Sequence, residues 1–539
     1  MTTQPHAFLT IDRGSATVSV SLIGRAGGAW RLLGMLSVPA GGDADVAIDV
    51  LVWRLRRADP MLAAELGLAT IARDDLPRLD VRSRRPRRMA VVAATQRTLT
   101  GLVATAARSG WRTSGASVDT TDPLAMTRLL LDHGVDAILV GAADPPRADE
   151  RAAIRELAAL VAAAAGRRPE LPVVLSGSMT EGLDSFGDVA DRPGEVLLAS
   201  TALGLGRIDD GAADPLGEML LELAFPPDDP RRAFGPAMAA LAEVLDRRVE
   251  GIVLGHDAGV RAIADPGAGG RPPSARLAVV PAAAVAPDEP DDAIVDGVLG
   301  WSTVPGDRHR IRDRMRELRI APWSDAAGDG AALRMAAARA ALARLVAATP
   351  AFADVPVPDI VVGASGVWAG VPAAAVALAH NDVIRRPGAS QYALDHARLL
   401  GALGAIPDEG ERRTLLADLV DDLLAPLGSV VTPAGIRAGK TAGSVILHGT
   451  DGPSERELVP GALELVDLPP GSTAVAEFTF RDRVRLGGRG RHFAIDVAGG
   501  LGGLLVDLRD VPLRLPDRAD LRRDLLAAWQ TSLWAGSDT

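Results

Sequence analysis

The stretch FLTIDRGSATVSVSL, residues 8–22, decides how the chain is read. Apolar and polar residues alternate on both sides of Gly14, the pattern of two antiparallel strands with one buried face. The turn between them, Asp12-Arg13-Gly14-Ser15, has two readings. Asp and Gly serve ordinary hairpin turns. A glycine turn also lets backbone approach a phosphate closely, with Asp and Ser placed to hold a magnesium-bound water and a phosphate oxygen. Spacing alone favours the hairpin.

Outward from this point, WRLLGMLSVP predicts a third strand and DVAIDVLVWRLRRA a helix. The basic run VRSRRPRRM (81–89) reads as a solvated loop. Strand and helix then alternate: AVVAA, a helix closing on Gly110, the buried strand in GVDAILVGAADPP, the helix ADERAAIRELAALVAAAAG, and LPVVLSGS. This rhythm implies parallel strands with helices on both faces. Ligand-facing loops in such a sheet lie at strand carboxyl ends, here GAADPP and SGSMTEG. A second set begins near residue 200, with helices in PLGEMLLELAF and FGPAMAALAEVLDRR and a strand in GIVLGHDAG. It continues through the helices RHRIRDRMRELRI and GAALRMAAARAALARLVAAT, the strand DIVVGASGVWAG and a predicted helix YALDHARLLGALGAI. After LADLVDDLLAPLG, short alternating segments separated by Gly, Pro and Asp predict a small all-β sandwich or barrel over 428–516. ADLRRDLLAAWQTSLW predicts a closing helix within 517–539.

At 539 residues the chain exceeds one hydrophobic core. A formal charge of −11 argues against a general nucleic-acid or anionic-membrane binder, which needs a basic footprint. Lys440 is the single lysine, and the absence of cysteine excludes disulfides and thiolate chemistry. The N-terminal stretch lacks a signal-peptide pattern and no apolar run is long enough for a membrane span, so no membrane insertion and a cytoplasmic location are expected.

Several motifs fail as sites. Gly435-Ile436-Arg437-Ala438-Gly439-Lys440-Thr441 resembles a P-loop, yet it has three residues between its glycines instead of four and leads into a strand instead of a helix. The eight histidines show no HExxH pair, and His256 reads as structural. Asp209-Asp210 and Asp291-Asp292 read as solvated pairs. The Gly-Ser turns 176–178 and 363–366 have no histidine nearby to make a triad.

Taken in order, FLTIDRGSATVSVSLI, GVDAILVGAADPP, LPVVLSGS, GIVLGHDAGVRAI, PDIVVGASGVWAGVP and ALELVDLPPGSTA resemble the glutamate mutase MutL family over nearly the whole chain. That resemblance implies an α/β fold of duplicated actin-like (ribonuclease H-like) halves around a cleft, over 1–200 and 201–427, plus the C-terminal all-β domain. It implies ATP and Mg2+ as cofactors and nucleotide-binding positions at Asp12, Gly14, Ser15, Asp257, Gly259, Gly363, Ser365 and Gly366, with Asp12 and Asp257 toward the metal. It also implies a protein partner, a cobalamin-dependent mutase served by a chaperone or reactivating factor, although no residue here is a credible cobalamin ligand.

The second phosphate loop departs from the family. Where the family has D-x-G-G-A-T-T-D, this chain has Gly255-His256-Asp257-Ala258-Gly259-Val260-Arg261-Ala262-Ile263, and the threonine hydroxyls and second carboxylate that would serve hydrolysis have no counterpart. Arg261 remains a candidate phosphate partner. DGVLGWSTV (296–304) likewise keeps little of the family's acidic turn. The expectation is therefore a nucleotide-binding protein with degraded ATP hydrolysis. The alternatives are a non-catalytic assembly scaffold and an active ATPase or small-molecule kinase of the same fold.

Overall fold

Residues 8–22 form the hairpin that their alternation predicts, because one face of each strand has a core to enter. In the computed structural model β1 (Ala7–Arg13) pairs antiparallel with β2 (Thr17–Ala26), and β2 with β3 (Ala29–Pro39). Leu9, Ile11, Val20 and Leu22 face a core completed by Ile48 and Leu51 of the helix Ala44–Ala58. Each such side chain contributes roughly 1.5–3 kcal/mol on burial. Residues 6–68, 75–143, 146, 150–179, 196–198, 214–267, 270–321, 328–449 and 452–534 are described.

After the helix, β4 (Arg78–Arg82) runs parallel to β1, completing a sheet in the order β3-β2-β1-β4. The chain then builds a separate, wholly parallel sheet from β5 (Arg88–Ala93), β6 (Arg112–Ser117), β7 (Ala137–Ala142), β8 (Val173–Gly177) and β9 (Val196–Leu198), in the order β6-β5-β7-β8-β9. The segment 1–200 therefore contains two sheets, joined by the arginine-rich run. As expected that run is an exposed loop between strands, and its arginines also find partners. Arg84 N–H donates to Asp229 and its guanidinium pairs with Asp228, Arg85 pairs with Asp288, Arg88 with Asp132, and Arg87 donates to Leu223 O and lies over Trp111.

The second half repeats the opening order and extends it. β10 (Val249–Leu254), β11 (Gly259–Asp265), β12 (Ser274–Val280), β13 (Ile360–Ala364) and β14 (Gly388–Asp395) lie as β12-β11-β10-β13-β14, with β10–β12 antiparallel and β13 and β14 parallel to β10. Two sheets that share the order three-two-one-four, each opened by an antiparallel meander, make the fold a duplicated actin-like α/β architecture.

Two sequence expectations change here. YALDHARLLGALGAI is not one helix: Tyr392–Asp395 ends β14, and only Leu400–Gly404 is helical. A short apolar run is equally compatible with a buried strand, and Pro387 just before β14 starts the chain extended. The remaining strands are β15 (Leu424–Thr432), β16 (Gly443–Gly449), β17 (Gly452–Leu458), β18 (Leu463–Val466), β19 (Thr473–Leu486), β20 (Gly488–Ala498) and β21 (Leu504–Asp507). They do not form one unit. β15, β21 and β18 extend the second-half sheet beyond β14, while β16, β17, β19 and β20 make a four-stranded sheet packed on it. The helix Ala519–Trp534 closes the chain as predicted, with Trp529 against the buried guanidinium of Arg509 at 4.3 Å. Among the described residues no helix is long and apolar enough to cross a membrane.

Among the described residues the two halves share a hydrophobic core through Trp111, Phe225 and Val279, and three further contacts frame the cleft. Asp418 and Asp422, on the helix Glu409–Leu423, accept the backbone N–H groups of Trp30 and Leu32 at 3.0 Å each, covering the otherwise open edge of β3. Arg231 and Asp229, at the start of the helix Pro230–Leu245, form a buried pair at 2.6 Å that also bonds the backbone of Arg84. The third contact lies at the hairpin turn.

Candidate functional site

The turns that open the two halves are equivalent in backbone. Gly14 N–H donates to Thr17 O at 2.9 Å, and Gly255 N–H donates to Ala258 O at 3.0 Å. Register makes the correspondence residue by residue: Arg13 faces Val18 as Leu254 faces Gly259, and Asp12 faces Ser19 as Val253 faces Val260. The counterpart of Asp12 is thus Val253, which has no oxygen to offer. Asp257 sits within the turn, at the place of Ala16, instead of at the strand end.

Asp257 is also occupied. Arg319, on the helix Arg308–Ile320, lies 2.8 Å from its carboxylate and 2.8 Å from Asp288, and donates to Ala286 O at 3.0 Å. Beside it His256 is half-buried, and desolvation lowers its pKa. Arg261, a candidate for phosphate in the sequence, points elsewhere. It is 1 % exposed and pairs with Glu250 at 2.7 Å inside the β10–β11 ladder, with Thr349 and Phe352 around it.

The glycine positions serve packing. A Cβ on Gly259 would stand 2.8 Å from Ala283 Cβ, one on Gly363 3.1 Å from the His380 ring, and one on Gly366 3.3 Å from an Arg398 nitrogen. Ser365 accepts from Val367 N–H and donates to Leu254 O, capping a short 3-10 turn. Of the sequence-derived positions, Asp12, Ser15, Asp257 and Ser365 line one cavity between the halves. It measures about 120 Å3, room for several waters.

One wall of this cavity is Arg398, which spacing did not single out. Asp395 at the end of β14 accepts the N–H groups of Leu399 and Leu400 at 3.1 and 3.0 Å, capping the short helix. This holds Arg398 in the left-handed region at φ 56°, unusual for a residue with a side chain. From there its guanidinium crosses to the first half, donating to Thr17 Oγ1 at 2.9 Å and to Ser37 Oγ. Burial lowers the Arg398 pKa, opposed by the charges of Asp12 and Asp395.

Asp12 is the exposed nerve of this arrangement. The residue is half-buried, but its Oδ1 is shut from solvent and has no hydrogen-bond partner. Desolvation, with Asp229 and Asp395 adding to it against Arg398 and Arg231, pushes its carboxyl up to about 6. Among the described residues no three His, Asp or Glu side chains converge as metal ligands. The Asp257 carboxylate faces Arg319, and Val253, Ala258 and Val260 at the second turn bring no polar side chain to the cleft. The P-loop look-alike lies far along the chain in the loop before β16, with no helix after it. Asp291 is a helix N-cap, accepting from Ile294 N–H at 2.8 Å, and Asp292 pairs with Arg312. Asp209 and Asp210, with Asp144 and Pro145 of GAADPP and Thr180, Glu181 and Gly182 of SGSMTEG, lie outside the described residues.

No known protein family and no curated protein matches the chain. Solved structures similar to it include the type II variant of the Aquifex aeolicus Ppx/GppA phosphatase, at 9% identity over 76% of this chain and 88% of that one, with a TM-score of 0.19. The Aquifex aeolicus member of the Ppx/GppA protein family is similar at 11% identity over 76% and 86%, TM-score 0.19. The Aquifex aeolicus PPX-GPPA enzyme is similar at 10% identity over 76% and 88%, TM-score 0.20. The duplicated strand order described above carries the fold assignment.

Proposed function

We propose that this protein is a non-catalytic actin-fold protein, a pseudo-ATPase whose cleft has become a structural joint and which acts as a scaffold or chaperone on a protein partner. The observation that carries this reading is Arg398, whose guanidinium spans the cleft to Thr17 and Ser37 and ties the two halves together. Three further substitutions point the same way: Val253 in place of a strand-end carboxylate, the Arg319 cation on Asp257, and the consumption of Arg261 by Glu250. Hydrolysis needs groups aimed at developing charge, and none of these positions supplies one.

The sequence resemblance makes a cobalamin-dependent carbon-skeleton mutase the first partner to try, by co-purification with such an enzyme. The cleft itself is tested by thermal unfolding of the whole chain with and without millimolar Mg-ATP, Mg-ADP and a non-hydrolysable analogue. A ligand at a hundred times its dissociation constant stabilises the native state by about 2.7 kcal/mol. The expected result is no shift with any nucleotide. A rise of several degrees with Mg-ATP, lost in Asp12→Ala, would overturn the proposal and favour the nucleotide-binding alternative.

A further inference from the structure

The chain is acidic overall, yet one part of it is densely basic. β19 pairs with β16 only through Val475–Phe480, and beyond Phe480 the hairpin leaves β16 and lies on the loop 434–442, with Val484 and Leu486 buried on its inner face. Arg481, Arg483, Arg485, Arg489 and Arg491 are all exposed on this two-stranded ribbon. Arg437 and Lys440 stand on the neighbouring loop, which touches the ribbon through the bridge between Ala434 and Arg485. The acidic side chains here are Asp482, 3.9 Å from Arg437, and Asp496 further along β20.

Two features separate this patch from ordinary solvated charge. The chain's other arginine-rich run, at 84–88, is bound to carboxylates, carbonyls and an aromatic face. On the ribbon, among the described residues, the five guanidinium groups have neither a hydrogen bond nor an ion pair. Moreover Arg485 and Arg489 stand directly opposite each other across the strands, a like-charge pairing that destabilises a hairpin. A stable fold gains nothing from that pair by itself.

The ribbon also has an open side. β20 is the outer strand of its sheet, and among the described residues nothing bonds the outward N–H and C=O groups between Arg489 and Val497. Charges on an edge repel neutral strands, the usual protection of such edges. The same charges select an acidic one. Duplex nucleic acid fits less well, because the rest of the chain carries more than the net charge of −11 and would repel an extended polyanion. The exposed positions of the ribbon also carry a single aromatic ring, His492, on which a base could stack.

We propose that the β19–β20 ribbon docks an extended acidic segment of a partner protein, which adds as a strand to the free edge of β20 and sets its carboxylates against Arg485, Arg489 and Arg491. Main-chain bonds along the edge supply affinity and the arginines supply selectivity. The site is remote in sequence from the cleft residues, so it stands whether or not the cleft binds nucleotide.

The test uses the full chain and a fluorescein-labelled peptide of about twelve alternating Glu and Val residues, long enough to pair along β20. Binding is read by anisotropy at rising salt, and the β20 amides by hydrogen exchange. The expected result is salt-sensitive binding, slowed exchange over residues 489–497, and affinity reduced at least roughly tenfold in Arg485→Glu/Arg489→Glu. Arg483→Gln/Arg491→Gln, which only neutralises charge, should weaken binding several-fold and decides the matter if the reversal variant does not fold. Absence of peptide binding, unchanged affinity in both variants, or exchange over 489–497 that does not slow would each overturn the proposal. So would tighter binding of a random-sequence DNA duplex than of the peptide.

Discussion

Replacing Asp12 with Asn should stabilise the protein at neutral pH, the reverse of what a working metal ligand would do. The Asp12 carboxyl is pushed from its usual 3.8 up to about 6, chiefly by desolvation. Each pKa unit is worth about 1.4 kcal/mol, so keeping the charged form in the folded cleft costs about 2–3 kcal/mol, the lower figure reflecting partial solvent contact. The sign follows from proton binding. Below about pH 4 the group is protonated in both states and the cost is absent. Between about pH 4 and 6 the native state holds a proton that the unfolded chain has released, so stability falls as pH rises. Above pH 6 the full cost applies. Asn resembles the protonated acid, so Asp12→Asn should raise stability by about 2–3 kcal/mol at pH 8 and match the wild type near pH 4. Urea unfolding followed by tryptophan fluorescence across this range measures the difference. If Asn instead destabilises at pH 8, and magnesium raises the wild-type midpoint but not the variant's, the carboxylate is in use and the reasoning fails.

Three other perturbations probe the joints. Arg398→Ala removes the bonds to Thr17 and Ser37 and leaves Asp12 and Asp395 without their cation, a loss of about 3–5 kcal/mol that urea unfolding at pH 7.5 should register. Glu250→Gln strands Arg261 in the β10–β11 ladder and should cost a similar amount, lowering the thermal midpoint without any nucleotide present. Asp418→Ala with Asp422→Ala should cost about 1–3 kcal/mol per freed N–H group. Hydrogen exchange should then quicken at Trp30 and Leu32 and stay unchanged between β1 and β2.

Much of the fold is legible because it is written in period and punctuation. The alternation of residues 8–22 names the hairpin and its buried face. The closing helix and the helix Arg308–Ile320 follow from their spacing. Alternation tells which side of a strand is buried but not which sheet the strand joins, so β15, β18 and β21 read as part of a separate β unit although they extend the second-half sheet. The site is harder, because its meaning lies in register and in long-range pairs. Four positions separate Asp257 in the turn from Val253, the strand-end counterpart of Asp12, and only the ladder from Leu254 to Gly259 decides it. Arg398 and Thr17 are 381 positions apart. The one local signal near Arg398 is Asp395 followed by Leu399 and Leu400, a cap before a short helix, and it was masked by the apolar run that reads as a longer helix. The same cause explains the arginines. In a chain with one lysine a guanidinium is the default cation, so sequence cannot tell the buried Arg261, the clamping Arg398 and the unpaired Arg485 apart. Their partners do: a carboxylate within the ladder, hydroxyls across a cleft, and on the ribbon another arginine.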